Sequence, residues 1–168
     1  EYIFTEYVIQ HDYAMRISRN SLNTLRLLTV WDFKKKNFYV ASAFHRFGVG
    51  ESVVDNIGQG SGVLSFVNVD TGELTGEGAV NINNSGDTYC KNIIHPTSNI
   101  DLSGVRIPHY KEVVQTILKI CNEHSYMRYI GWDIAITEDG FKVIETNSFS
   151  ALEVIQQREG FFEDDNLR

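Results

Sequence analysis

Two short β-type runs, residues 129–137 and 141–146, flank the triplet Glu138-Asp139-Gly140, and no other feature constrains the chain as much. Apolar, β-branched and aromatic residues alternate with period 2 on either side of a turn signal, which is the pattern of an antiparallel hairpin. With the turn centred on Asp139, Thr137 faces Phe141, Ala135 faces Val143 and Asp133 faces Glu145. Alternation then puts Asn147 on the same face, two residues past Glu145, and leaves Trp132, Ile134, Ile136 and Ile144 for a core face. Directly opposed carboxylates, with Cβ atoms ~5 Å apart, destabilise a sheet unless a cation lies between them. Two carboxylates and an amide, without imidazole or thiolate, make the ligand set of a hard cation. Mg²⁺ typically takes one or two carboxylates together with phosphate oxygens. The plain alternative is a hairpin with one solvated polar face, and Asp-x(11)-Glu-x-Asn is by itself a common spacing. Ala135 and Val143 beside the acids, and the charge-free stretch 148–151, favour Asp133, Glu145 and Asn147 as a metal site.

The rest of the chain reads as further strands and one clear helix. Residues 2–10, 24–31 and 38–47 are β-type runs, 58–62 (GQGSG) is a glycine loop, and 63–69 leads through a turn at Asp70-Thr71-Gly72 into a polar segment ending near Asn84. From Pro108, suited to a first helical turn, Val113, Val114, Ile117, Leu118 and Cys121 recur at helical spacing. Residues 151–157 are expected to start a last helix. Strands in antiparallel hairpins carrying one or two helices define an α+β arrangement. The run Lys34 to Lys36 reads as a solvated turn, and Glu163 to Asp165 as a tail.

Four segments in order carry a family resemblance over nearly the whole chain. GWDIAITEDGFKVIETN at 131–147 resembles the closing motif of ATP-grasp enzymes, in which an aspartate and a Glu-x-Asn pair hold the catalytic magnesium ions. SLNTLRLLTV at 21–30 and HRFGVGESVVDNIGQGSG at 45–62 are similar to the ATP-grasp members associated with sugar transfer and polysaccharide biosynthesis, and less closely to ribosomal-protein glutamate ligases. IFTEYVIQ at 3–10 resembles the hinge strand that receives adenine. The resemblance implies an ATP-grasp C-terminal lobe: a mainly antiparallel sheet with one long helix and one or two short ones. It also implies ATP and Mg²⁺, or Mn²⁺, as cofactors.

Residue by residue, the resemblance gives the backbone of Glu6, Tyr7, Val8 and Ile9 to the base and one of Gln10, His11 or Asp12 to the ribose. Asn56 with Gly58, Gly60 and Gly62 would approach a phosphate or a substrate carboxylate. Arg26 and Arg46 are the catalytic candidates facing the transferred phosphate, and the guanidinium fork suits that task. Both lie in apolar runs, where an unpaired charge is costly, so each needs an anionic partner, and a structural ion pair is the plain alternative. His95-Pro96 resembles an acceptor-site element, although a loop histidine is ordinarily exposed and inert.

Composition narrows the classes that remain. The 168 residues are 42% hydrophobic and 22% charged, enough for one domain, 1–168, with a core of its own. A net charge of −7 argues against non-specific attraction to nucleic acid or anionic lipid, a local basic patch aside. Cys90 and Cys121 have neither disulfide nor zinc spacing, and no apolar run approaches the ~20 residues of a membrane span, so a cytoplasmic protein without membrane insertion is expected. The chain starts on an apolar run at Glu1, and the family's other lobe, with its ATP-contacting lysines, has no counterpart in it; it is therefore expected to be part of a longer protein and inactive alone. The expected reaction joins a small-molecule or glycan-linked carboxylate to an amine through an acyl-phosphate, in polysaccharide or cell-envelope synthesis. Phosphorylation of a sugar hydroxyl, or nucleotide or partner binding without catalysis, are the alternatives.

Overall fold

The computed structural model describes residues 6–55, 62–82, 86, 88–148 and 150. The strands are β1 (Leu25–Asp32), β2 (Asn37–Gly48), β3 (Gly62–Val67), β4 (Leu74–Asn81) in the polar segment, β5 (Thr88–Cys90), which the sequence pattern did not indicate, β6 (Tyr129–Thr137) and β7 (Gly140–Asn147). They form a single sheet in the order β5-β4-β3-β2-β1-β6-β7, antiparallel at every pairing. Two helices accompany it, α1 (Asp12–Ile17) and α2 (Tyr110–Glu123), so the α+β fold expected from the sequence is the one observed. No helix among the described residues is long and apolar enough to cross a membrane.

Period 2 divides the strands between two apolar layers. Leu25, Leu27, Phe47, Trp132, Ile134 and Ile136 join Val113, Ile117 and Cys121 of α2 in the larger core, while Leu28, Val30, Phe44, Leu64 and Phe66 cluster separately. Tyr110, Val113, Ile117 and Cys121, spaced by three and four, make the buried stripe of α2. Pro108 stands outside the first turn, because His109 occupies the N-cap in a left-handed conformation at φ 57°.

The β6–β7 hairpin departs from the expected register near its turn and regains it at the acids. Its loop is the two residues Glu138-Asp139, so Thr137 pairs with Gly140, Ala135 with Lys142 and Ile134 with Val143. A bulge then inserts one extra residue, Ile144, into β7 and brings Asp133 opposite Glu145. Ile144 is consequently half-exposed at 42% and does not belong to the core face.

Two further expectations change. Residues 6–10 are not in a strand, and α1 follows at once, because Gln10 is pulled inward. Its Nε2 donates to the Ser21 carbonyl (2.7 Å), and its Oε1 accepts from both the backbone N–H (3.0 Å) and Nδ2 (2.9 Å) of Asn23. The His11 N–H bonds the Ile136 carbonyl (2.7 Å), while His11 Nδ1 accepts the Tyr13 N–H and caps α1. The last expected helix, 151–157, and the acidic tail lie outside the described residues.

Thr29 is the polar joint of the larger core. Fully buried, its hydroxyl oxygen accepts from Trp132 Nε1 (2.8 Å), with the Cys121 thiol at 3.5 Å. Replacing Thr29 with the isosteric Val strands a buried indole N–H, and a urea melt should register a loss of about 2 kcal/mol. A variant as stable as the parent would contradict this role.

Candidate functional site

Register builds the site before any side chain is considered. Arg26 is paired with Asp133 across β1 and β6, and Asp133 with Glu145 across β6 and β7, so the three occupy one row of the sheet. Arg46 on β2 reaches the same carboxylate from the strand beyond.

Asp133, 2% exposed, is gripped by two guanidinium groups. Arg26 Nε bonds its Oδ1 and Arg26 Nη2 its Oδ2 (2.7 Å), a bidentate fork, while Arg46 Nη2 lies 3.2 Å from Oδ1. Burial pushes the Asp133 carboxyl upward, but the Arg26 hydrogen bond and the charges of Arg46 and Arg26 outweigh it and hold the group below the usual carboxylate range. Arg26 Nη1 also donates to Ser150 Oγ (3.0 Å). Gly131 makes that contact possible, since a Cβ there would stand 2.6 Å from Ser150 Oγ.

Arg46 is anchored on a second acid that the sequence reading did not single out. Its Nε donates to Thr24 Oγ1 (3.0 Å) and lies 3.5 Å from Asp55 Oδ2, and the same Asp55 oxygen accepts from the Thr24 N–H (2.8 Å) and hydroxyl. Burial raises the Asp55 pKa, and the Arg46 charge and the Thr24 hydrogen bonds offset only part of that rise. The available signals were Asp55 immediately before Asn56 and Thr24 two residues before Arg26, both inside the segments that carry the family resemblance. Two arginines and two aspartates thus compensate one another in a closed network.

Behind this network, His45 is fully buried and stacked on Phe47 at 4.3 Å. Its Nδ1–H donates to the Arg46 carbonyl (3.1 Å), and its Nε2 accepts from the Tyr13 hydroxyl (2.6 Å). Burial pulls His45 down to about 3, against about 6.5 in the unfolded chain, and pushes the Tyr13 phenol up.

Glu145 and Asn147 lie beside the network, Glu145 exposed, with Asn147 Nδ2 donating to Glu145 Oε1 (3.1 Å). Like-charge repulsion between Asp133 and Glu145 does not by itself call for a cation, because the arginines already compensate Asp133. The donor chemistry nevertheless fits a hard cation. Glu145 and Asn147 present oxygens at an accessible strand, and Asp133 keeps spare lone-pair capacity beyond its three guanidinium contacts. No group of three His, Cys, Asp or Glu able to hold a metal occurs among the described residues, so most of the coordination sphere would come from a ligand and water.

A cavity of about 740 Å³ adjoins this edge. Residues 6–10 form one wall and Lys142, Val143 and Ile144, just before Glu145, form another, with Arg19 and Asn20 at the side. Lys142 Nζ meets the Glu6 carboxylate at 2.6 Å. Glu6, Tyr7, Val8 and Ile9 therefore line a concave space although they form no strand. Gln10 lines it too, but its side-chain amide is spent on Ser21 and Asn23, which leaves nothing for a ribose. Asp12 stands outside the lining and pairs with Arg16 (2.5 Å). Asn56, Gly58 and Gly60 lie outside the described residues, while Gly62 opens β3. His95 is fully buried rather than exposed. Its Nε2–H donates to the Gly48 carbonyl (2.9 Å) and its Nδ1 accepts from Ser98 (3.0 Å), tying its loop to the end of β2.

Two outcomes follow. Asp133→Asn removes the shared counter-charge and should cost about 3 kcal/mol, lowering the melting temperature by roughly 6–12 °C in a thermal scan. An unchanged melting temperature would show that the guanidinium groups do not depend on it. For His45, the unfolded chain binds a proton below pH ~6.5 that the native state refuses until about 3. Stability therefore falls as pH drops through that window, by up to about 1.4 kcal/mol per unit. Urea melts between pH ~6.5 and ~5 should lose that slope in His45→Gln, and a slope that persists would assign it to other groups.

The sequence also matches the family model described as sugar-transfer associated ATP-grasp, over residues 1–166. No curated protein and no solved structure matches the chain. ATP-grasp domains are generally enzymes that bind ATP with Mg²⁺. With the match spanning nearly every residue, the chain belongs to the sugar-transfer associated ATP-grasp family.

Proposed function

We propose that the chain forms the phosphate- and metal-binding part of an ATP-dependent carboxylate–amine ligase that serves polysaccharide or cell-envelope synthesis. The observation that carries this reading is the row Arg26–Asp133–Glu145, whose last member follows directly in sequence on Lys142, Val143 and Ile144 in the wall of the cavity lined by residues 6–10. The cavity is large enough for the adenosine part of a nucleotide, and it adjoins the strand that carries Glu145 and Asn147.

Glu145 and Asn147, with the free lone-pair capacity of Asp133, are the groups that would hold Mg²⁺, which when bound neutralises phosphate charge. Arg26 and Arg46 are held by Asp133, Asp55, Thr24 and Ser150, so two charged forks are ordered before a ligand arrives. Preordered donors of this kind stabilise charge that develops on a transferred phosphoryl group without reorganising during the reaction. The substrate carboxylate would attack the γ-phosphorus of ATP and release ADP. An amine would then attack the acyl carbon, forming the amide and expelling phosphate. Neither step needs a nucleophile from the protein.

Glu145→Gln is the informative substitution, because an exposed side chain can be altered without unfolding the sheet. In a protein carrying both lobes, phosphate release in the presence of carboxylate and amine should fall about 100-fold, with the melting temperature unchanged and partial recovery at raised Mn²⁺. Full turnover in that variant would remove the metal assignment. Phosphorylated sugar without amide would replace the ligase with a kinase.

A further inference from the structure

The tip of the β1–β2 hairpin projects past its neighbours in the sheet. β6 pairs with β1 only from Leu25 to Val30, and β3 pairs with β2 only from Phe44 to Gly48. Trp31 to Phe38 therefore extend beyond both neighbouring strands. The turn is locally rigid. The Asp32 carboxylate accepts the Lys34 and Lys35 N–H groups at 2.8 Å each, its carbonyl accepts the Lys36 N–H, and Lys36 takes a left-handed φ of 54°. At the apex Phe33 is 58% exposed, followed by Lys34, Lys35 and Lys36.

The loop between α2 and β6 stands alongside. Trp31 N–H donates to the Arg128 carbonyl (2.9 Å), the Arg128 guanidinium lies 5.4 Å from the centre of the Phe33 ring, and Tyr126 is 79% exposed. Two exposed aromatics and four cations, of which Lys35 lies 3.7 Å from the Asp32 carboxylate, thus stand on the hairpin tip and its adjoining loop in a chain whose net charge is −7. The tip lies at the opposite end of β1 from Arg26, so the network of Asp133 makes no use of it.

We propose that this tip docks the protein peripherally on an anionic lipid surface. A hairpin tip that projects past its neighbouring strands presents its exposed ring and charges outward, and a soft interface accepts a projecting aromatic ring. Lysines attract the negative potential of phospholipid headgroups, and aromatic side chains settle at the boundary between headgroups and acyl chains. The acidic remainder of the molecule is repelled by the same surface, which would hold the tip toward the bilayer and leave Glu145, in register with Arg26 near the other end of β1, away from it. The site proposed above does not depend on this contact, so either proposal can fail alone.

Cosedimentation with phosphatidylcholine vesicles, with and without phosphatidylglycerol, tests the assignment. The chain should bind the doped vesicles only and should dissociate as salt is raised. Each lysine neutralised in K34Q, K35Q and K36Q should lower partitioning about fivefold. Phe33→Ser should also weaken it, and Tyr126→Ser gives a second aromatic probe if Phe33→Ser melts early. Equal binding to neutral vesicles, undiminished binding of the triple variant, or capture by heparin without any binding to doped vesicles would each overturn the proposal; the last would point to a soluble polyanion.

Discussion

A single buried carboxylate, Asp133, must be compensated where it stands, and the polar row across β2, β1 and β6 is organised around that requirement. An ionised group with so little exposure is tolerated only when it is paired and hydrogen-bonded. Arg26 supplies the bidentate pair from the adjacent strand, and Arg46 adds a second charge from the strand after that. Each arginine then needs its own support, which recruits Ser150 on one side and Thr24 with Asp55 on the other. Removing the shared acid would leave two cations facing one remaining counter-ion, a cost of the kind expected when a buried pair is broken rather than replaced by apolar groups. Gly131 belongs to the same requirement, because only a residue without Cβ lets Ser150 approach Arg26.

The bulge at Ile144 is the second constraint. A two-residue turn sets a register one step away from the pairing that would oppose Asp133 to Glu145, and the extra residue in β7 restores it. Its cost is an apolar side chain turned to solvent beside the cavity. Bulges tend to occur where a side chain must be re-aimed next to a site, and here the re-aimed residues are Glu145 and Asn147. β7 is far more exposed than β6 because it is the edge strand of the sheet and carries fewer apolar residues, so its bulge is accommodated without disturbing a second partner.

Much of this was legible from the residues. β-type runs gave five of the strands, the hairpin turn at Asp70-Thr71-Gly72 a sixth, and together the α+β class, while the spacing of Val113, Ile117 and Cys121 gave α2, because both periodicities report which side of an element is buried. The cross-strand meeting of Asp133 with Glu145 was legible as well, through a turn geometry that was off by one and a bulge that cancelled the error. What stayed hidden depends on distant partners. Nothing local to residues 6–10 says that Gln10 will bond Ser21 and Asn23 and draw the chain out of a strand. Likewise, nothing near His95 says that it will be buried against Gly48. The arginines were expected to need anions, but that their anion is Asp133 itself follows only from β1 pairing with β6, a contact across more than a hundred residues.

That last contact bears on how a site of this kind could respond to ligand. The guanidinium groups that neutralise Asp133 are also the groups the proposed function assigns to phosphate. An anion that draws on Arg26 or Arg46 must weaken their hold on the Asp133 oxygens, and those oxygens then become better donors to a cation. By the reciprocity of coupled binding, a cation drawing on Asp133 must equally loosen the arginines toward an anion. Phosphate and cation would therefore favour each other through the protein, in addition to their direct attraction. The free chain meanwhile keeps a neutral, ordered cluster rather than an exposed pair of unpaired charges. A network that is satisfied without ligand and exchangeable with it reconciles the near-complete burial of Asp133 with the accessibility of Glu145 one strand away.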